Sequence, residues 1–200
     1  MSGPKGPESG FRRLEETVIH KGHVVTLSVA EVVTPSGAVL EREIVHHPGA
    51  VAVVAVMESD HGHEAVLVRQ YRAAVDGLVL EIPAGKRDVA DEDPMVAAAR
   101  ELQEEVGLEA TDLVHLAGFH NSPGFCDEFL DVYLAMHPTV VADDRQGVEE
   151  EAMTIERVPL ADVPAMIADG RLTDAKSIIG LLMAIRHLDG EESAPRPGGR

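Results

Sequence analysis

A single cysteine, Cys126, stands among 200 residues, so no intramolecular disulfide can form and a cysteine-based zinc cage is excluded. That usage fits a reducing compartment. Long apolar runs are missing too: the longest, such as Ala50 to Met57, fall far short of the ~20 residues that a membrane-spanning helix requires. Residues 1–10 offer Gly, Pro and Ser with one Lys and one Glu, without the apolar block of a secretory signal. The expectation is a soluble, cytoplasmic protein with no membrane partner. Basic clusters are equally scarce. No more than two basic residues are adjacent, and 17 Lys plus Arg against 35 Asp plus Glu give a formal charge of −18. A protein that grips a phosphate backbone presents a basic face, so nucleic acid is not expected as a partner. Repeats of solenoid length are absent.

What is present suffices for a core. With 44% hydrophobic and 26% charged residues the chain has an ordinary globular composition, and its length fits one domain with short decorations. Residues 1–9 and 190–200 are rich in Gly, Pro and polar residues and are expected to be poorly ordered tails. Between them, His23 to Val33, Ala38 to His46, Ala50 to Met57, Glu64 to Arg72 and Leu78 to Pro83 are short segments rich in Val, Leu and Ile, bounded by turn residues. Strand-like runs return at Val114 to Phe119, Glu128 to Met136 and Met153 to Val158, and helical patterns close the chain at Leu160 to Asp169 and Thr173 to His187. Strands interrupted by a central helix and closed by C-terminal helices predict an α/β fold, a mixed sheet covered on its faces by helices. Most of the acids serve as solvated surface, but clustered carboxylates can hold hard divalent cations that in turn receive phosphates.

One segment arranges its acids. Asp93 followed by Pro94 forms a helix start and Gly107 suits the left-handed turn after the last helical residue, bounding a helix of about three and a half turns. At roughly 100° per residue Met95, Ala99, Leu102 and Val106 share one stripe, expected to pack, while Glu101, Glu104 and Glu105 fall together on the far side. Glu101 and Glu105 are one turn apart, and their repulsion weakens the helix by a few tenths of a kcal/mol unless something positive sits between them. A solvated face would explain a generic Glu pair. It leaves unexplained the glycine upstream, the adjoining Arg100 and the lone Glu92 in the preceding turn.

Gly85, six residues, Glu92, seven residues and then Arg100-Glu101-Leu102-Gln103-Glu104-Glu105-Val106-Gly107-Leu108 resemble the Nudix box, whose usual form has five residues in the first gap. Asp91 would keep the five-residue gap, but the spacing to Arg100 favours Glu92. The resemblance implies an α/β/α sandwich and hydrolysis of a nucleoside diphosphate linked to another group, with Mg²⁺ or Mn²⁺ as cofactor. The chemistry is consistent: a pyrophosphate diester resists nucleophiles because its oxygens are anionic, and carboxylate-held cations neutralise them and acidify a bound water. By the same resemblance Glu101 and Glu105 are inner metal ligands, Glu104 supports a further ion, and the backbone carbonyl of Ala84 adds a ligand. Arg100 either holds the acids in place or makes a plain intrahelical ion pair.

Leu80-Glu81-Ile82-Pro83-Ala84-Gly85, Val68-Arg69-Gln70-Tyr71-Arg72 and Ser122-Pro123-Gly124-Phe125-Cys126-Asp127-Glu128 extend the likeness to the ADP-ribose pyrophosphatase branch of that family, over about residues 11 to 188. What this implies is a substrate-binding set of Arg69, Arg72, Glu81, Pro123, Gly124 and Glu128. Arg72 offers a planar guanidinium for phosphate or ribose oxygens, and Glu81 accepts from Arg72 or from a ribose hydroxyl. Read alone, Arg72 is a surface ion pair and Pro123-Gly124 a turn. A tryptophan common before that glutamate is Leu80 here, which removes ring stacking at that point. The branch draws its water-activating base from a loop similar to Gln146-Gly147-Val148-Glu149-Glu150-Glu151; Glu150 is the candidate base or late metal ligand, with Glu149 and Glu151 the alternatives in register. Expected domains are a tail at 1–10, an N-terminal β appendage used for dimerisation at 11–48, a Nudix hydrolase domain at 49–189 and a tail at 190–200. The expected activity is metal-dependent hydrolysis of ADP-ribose or another ADP-sugar by a homodimer; a broader nucleoside diphosphate sugar hydrolase and a non-catalytic ADP-ribose sensor are the alternatives.

Overall fold

The structure, a computed structural model, describes residues 10–60, 62–89, 91–141 and 152–190. Its chain divides into two compact units: the N-terminal part through Gly49 together with His120–Phe129, and Ala50–Phe119 together with the part from Leu130 onward.

In the first unit, strands β1 (Arg12–Lys21), β2 (Thr26–Val33) and β3 (Val39–His46) form an antiparallel sheet in that order. The expected strand at His23 starts later, at Thr26, because Gly22 N–H donates to Val25 O and closes a turn. A strand that the sequence reading did not delimit, β1, pairs with β2 through two register shifts, between Arg13 and Glu16 and between Val18 and His20. Each shift reverses which side chains face which way, so no period-2 pattern survives within it. Segment 120–129 is tied to β3 by Val45 N–H donating to Phe125 O (2.7 Å) and Asp127 N–H donating to Val45 O (3.1 Å).

The second unit is built on β4 (Ala50–Ser59), β5 (Gly62–Arg72), β6 (Gly77–Glu81), β7 (Ala84–Lys86), α1 (Pro94–Val106), β8 (Leu108–Glu109), β9 (Leu113–His120), β10 (Phe129–Met136), β11 (Thr139–Val140) and β12 (Thr154–Pro159). A 3₁₀ turn (Leu160–Asp162), α2 (Val163–Ala168) and α3 (Ala175–Leu188) complete it. The sheet runs β12-β5-β4-β10-β9, with β6 beside β5 and β7 beside β4. It is mixed, as expected: β10 is parallel to β4, whereas β5, β7 and β12 make antiparallel pairs. Along β4, Ala52, Val54 and Val56 join a core with Met166 of α2 and Leu181 and Ala184 of α3, while Val51, Val53 and Ala55 join another with Ala98, Leu102 and Val106 of α1. A strand covered on both faces must be apolar at every position, which explains the unbroken run from Ala50 to Val56.

Two expectations need correction. The helix expected at Leu160 to Asp169 is a 3₁₀ turn followed by the six residues of α2, because Pro164 lacks the N–H that a continuous helix would use. The packed face of α1 also differs from the expected stripe. Leu102 and Val106 are buried as expected, but Met95 is 41% exposed, and Ala97, Ala98 and Glu105 are buried with them. Small alanines let the helix lie close to the sheet, and Glu105 is turned inward, where Ala84 N–H donates to it.

Close approach also governs α3. A Cβ on Gly180 would sit 3.0 Å from Val54 Cγ2 and Val132 Cγ1 and 3.1 Å from Ile82 Cδ1. Gly180→Val is therefore expected to lower the unfolding free energy by about 1–3 kcal/mol through overpacking. Denaturant titration checks this, and an unchanged midpoint would contradict the packing of α3 against β4 and β10.

Candidate active site

The acid-bearing helix is fixed at both ends as its sequence anticipates. Asp93 Oδ1 accepts from Met95 N–H (2.8 Å) with Pro94 opening α1, and Gly107 (φ 62°) closes it by donating to Gln103 O at 3.0 Å. Gly85 on β7 lies directly beneath this helix. A Cβ there would lie 1.9 Å from Glu101 Cδ and 2.0 Å from Glu101 Oε2, so the carboxylate occupies the place of the side chain that glycine lacks. No other residue type permits that approach.

Around Glu101 the charges form a network. Arg100 Nη1 donates to Glu101 Oε1 (2.8 Å) and Glu104 Oε2 (2.9 Å), while its Nε and Nη2 reach Glu92 Oε1 and Oε2 at 3.3 and 3.2 Å. Glu92, not Asp91, is thus the partner of Arg100, in line with the seven-residue spacing. Asp91 takes a left-handed backbone (φ 60°), and Glu92 N–H donates to Val89 O in the turn before it. The hydrogen bond to Glu92, then the charges of Glu101 and Glu104, hold the Arg100 guanidinium above its ordinary pKa. Burial pushes the Glu101 carboxyl up; Arg100 opposes this, and Glu104 and Asp88 add to it.

Glu105 completes the cluster from the buried side of α1, its Oε2 accepting from Ala84 N–H at 3.0 Å. Glu92, Glu101, Glu104 and Glu105 carry four formal negative charges; Arg100 pairs with the first three, and the charge of Glu105 is felt by Arg72. Among the described residues no three acidic, histidine or cysteine side chains already stand together in a metal-binding group. The donors nevertheless fit a hard divalent cation: they are carboxylate oxygens in excess of the local cations, Glu101 sits in a cradle that only glycine leaves open, and burial penalises its uncompensated charge. Glu101, Glu104, Glu105 and the Ala84 carbonyl are the groups that would hold one.

The expected substrate residues of this unit separate into two groups. Arg72 donates from Nε to Glu81 Oε1 (2.7 Å) and from Nη2 to Glu81 Oε2 (2.8 Å), and it feels the charges of Glu81, Glu105 and Asp174. Burial would raise the Glu81 carboxyl, but Arg72 and Lys176 outweigh it and hold its pKa below the ordinary value. Lys176 was not anticipated; the only hint in the sequence is a cation in the first turn of a helix, where the dipole disfavours it. Arg69 lies elsewhere. It donates to Glu156 through Nε (2.5 Å) and Nη2 (3.1 Å) and lines a cavity of about 500 Å³ with Glu156, Met166 and Arg171. Leu80 is buried in the core beside α2 and α3 and offers no face for stacking.

Pro123, Gly124 and Glu128 belong to the first unit. The turn that carries them is closed by Cys126 N–H donating to Ser122 O (2.9 Å), and Asn121 Nδ2 donates to Glu128 Oε2 at 2.8 Å. Asp127 accepts from His47 N–H (2.8 Å) through Oδ1 and from the His46 ring (2.5 Å) through Oδ2. Glu149, Glu150 and Glu151 lie outside the described residues.

A glycine-cradled carboxylate cluster on a capped helix, set beside a mixed sheet, is the frame of an α/β hydrolase that works with a divalent cation. The chain belongs to the NUDIX domain family, which matches residues 46–179 and in which divalent metal dependence is general. It is 39% identical over 172 residues to the ADP-ribose pyrophosphatase of Bacillus subtilis (strain 168), covering 84% of this chain and 91% of that protein. To the ADP-ribose pyrophosphatase of Mycobacterium tuberculosis (strain ATCC 25618 / H37Rv) it is 36% identical over 190 residues, covering 95% and 90%. The crystal structure of an ADP compounds hydrolase shares the fold, with a TM-score of 0.77 at 22% identity, covering 96% of this chain and all of that one.

His46 gives the first unit a pH dependence. Its Nδ1 faces Asp127 and its Nε2 faces Glu16 of β1, which also accepts from Ser28 Oγ at 2.5 Å and is paired with Arg13. A neutral ring has a single N–H, so only the imidazolium can donate to both carboxylates. The bonds to Asp127, then to Glu16, raise the His46 pKa, while those from Ser28 and His46 lower that of Glu16 to about 2. A raised folded-state pKa means that the folded protein holds the proton longer. The contribution of His46 is therefore complete below its unfolded value of 6.5 and is lost as pH rises through the folded value. The gap in melting temperature between wild type and His46→Gln is expected to be widest below pH 6.5 and to narrow towards pH ~9, where the imidazole is neutral. A gap that stays constant or widens would contradict the clasp.

Proposed function

We propose that this protein is a Nudix pyrophosphohydrolase that cleaves the pyrophosphate bond of ADP-ribose or a related ADP-sugar, giving AMP and ribose 5-phosphate from ADP-ribose, with Mg²⁺ or Mn²⁺. The observation that carries the reading is the placement of Glu101 over Gly85 within a cluster of four carboxylates, three of them held by Arg100 and the fourth, Glu105, by Ala84 N–H. The names of the two bacterial relatives supply the substrate. When bound, a divalent cation neutralises phosphate oxygens and lowers the pKa of a coordinated water.

The chain's own residues do the rest. Glu101, Glu104, Glu105 and the Ala84 carbonyl form the cation seat; Arg100, itself held by Glu92, fixes Glu101 and Glu104 in direction. Arg72, oriented by Glu81, presents its unengaged edge to diphosphate or ribose oxygens, and Arg69, Pro123, Gly124 and Glu128 are assigned to substrate on the sequence resemblance. Water attacks one phosphorus of the bridge: a new P–O bond forms, the bridging P–O bond breaks, and the proton of the water passes to the base, for which Glu150 is proposed. The departing phosphate takes the bridging oxygen. A broader nucleoside diphosphate sugar hydrolase is the second reading, favoured by the burial of Leu80, which leaves no ring there to select a base.

Assay of the purified protein against a panel of nucleoside diphosphate sugars, with Mg²⁺ and with chelator, tests the reading: hydrolysis of ADP-ribose to AMP is expected with metal only. Glu105→Gln is expected to lower turnover about 100-fold or more at saturating Mg²⁺, as for loss of a charged group that stabilises the transition state. Its amide oxygen can still accept from Ala84 N–H, so the melting temperature should hold. Near-normal turnover would remove Glu105 from the metal set.

The proposed assembly is a homodimer in the cytoplasm whose N-terminal strands help complete the partner's substrate pocket. Supporting it, all ten residues of β1 are exposed in the single chain, and Val18, Ile19, Val24, Val39 and Leu40 present an apolar surface that calls for cover. Deletion of residues 1–45 is expected to yield a monomer with a sharply raised KM although every box glutamate remains. Sedimentation of the full-length protein as a monomer at micromolar concentration, with activity unchanged by dilution, would rule this out.

A further inference from the structure

Glu81 is almost wholly buried, yet two cations meet it. Arg72 uses Nε and Nη2 for the two carboxylate oxygens, and Lys176 Nζ contacts the same Oε2 that Nη2 uses. Lys176 belongs to the first turn of α3, one residue beyond Ala175, and its side chain is 11% exposed. A cation is misplaced at that end of a helix, whose unpaired N–H groups already carry positive charge. Nor is Asp174 a sufficient reason for it. Asp174 Oδ2 lies 3.1 Å from Lys176 Nζ, but it also accepts from Ser177 N–H (3.0 Å) and Ser177 Oγ (2.5 Å) as the cap of α3. Ser177 Oγ in turn accepts from Ile82 N–H at 2.8 Å, which pins the start of α3 to the residue after Glu81. The lysine is thus delivered to Glu81 by a rigid connection.

The consequence concerns Arg72. Glu81 accepts from both Arg72 and Lys176, so its charge is divided between two cations and less of it falls on the guanidinium than in a one-to-one pair, although Asp174 and Glu105 are also felt there. Arg72 Nη1 makes no hydrogen bond among the described residues, and the side chain is partly open to solvent. We propose that Lys176 is a positioning residue for the substrate, sharing the charge of Glu81 so that Arg72 stays fixed in direction and electropositive towards an anionic oxygen of a nucleoside diphosphate. This inference rests on the hydrolase reading above and on Arg72 as its substrate contact.

The test compares wild type, Lys176→Met and Lys176→Arg in steady-state hydrolysis of ADP-ribose, with melting temperature and Mg²⁺ activation measured on each. Lys176→Met is expected to raise KM about tenfold, the effect of one partly screened charge, with kcat changed less than about threefold and the Mg²⁺ requirement unchanged. Lys176→Arg, which keeps the charge, should return KM to within about threefold of wild type. A purely structural lysine would lower the melting temperature and leave KM alone. The proposal fails if folded Lys176→Met keeps KM within about twofold, or loses kcat with KM unchanged. Should Lys176→Met not fold, Lys176→Arg decides: a KM more than about fivefold above wild type at a native melting temperature overturns the charge argument. A wild type that hydrolyses no nucleoside diphosphate sugar defeats the hydrolase reading and this inference together; an active wild type with an indifferent lysine variant defeats this inference alone.

Discussion

Like charges forced together are the constraint around which the second unit is organised. Glu92, Glu101 and Glu104 converge on one guanidinium with Glu105 beside them on the same helix, and burial makes each uncompensated charge costlier than it would be in water. Three features make the cluster tolerable. Arg100 bridges three of the four acids, Glu105 finds the N–H of Ala84, and Gly85 vacates the volume that the Glu101 carboxylate fills. Each restricts the sequence at one position. The remaining negative charge is of the kind that hard cations neutralise through carboxylate oxygens.

Holding such a cluster still requires a stiff support. The support is β4, which contributes alternate residues to two separate cores, one under α1 and one under α2 and α3. Because β7 pairs with β4 at Ala50–Ala52, Gly85 and Ala84 are fixed by backbone hydrogen bonds to a strand that is buried from Ala50 to Val56. The helix is then positioned by packing of Ala98, Leu102 and Val106 and by caps at both ends. Side chains of α1 can be displaced relative to Gly85 only if one of these contacts yields.

How much of this was legible in the sequence depended on whether the signal was local. The caps of α1, its length, the choice of Glu92 over Asp91 and the mixed sheet all follow from short-range rules: N-cap chemistry, spacing along the chain, and the contrast between strand-like and helical periods. Three things escaped. Register shifts erased the alternation of β1; Met95 was assigned inward by helical angle alone, although close contact with the sheet favours the alanines; and Lys176 acts on a residue 95 positions earlier, so no local pattern announces it. The inward turn of Glu105 belongs with these. A charged residue read from periodicity faces water, and the N–H of Ala84, supplied by a strand, is a partner that supports the opposite orientation.

Overall charge sharpens the importance of the few cations that remain. At −18 the chain repels an anionic diphosphate at long range, and no basic surface steers it. Salt confines that repulsion to about 8 Å at physiological ionic strength, so capture is decided by the groups at the site itself. There the second unit places guanidinium and ammonium groups against buried acids: Arg100 within the box, Arg72 and Lys176 on Glu81. Lys176 shares Glu81 with Arg72, so the guanidinium gives up less of its charge to that carboxylate than a lone ion pair would require. An acidic protein can in this way place a few fixed cations where a phosphate chain would meet them without basic patches elsewhere, because screening leaves the contacts at the site, and not the overall charge, to decide capture.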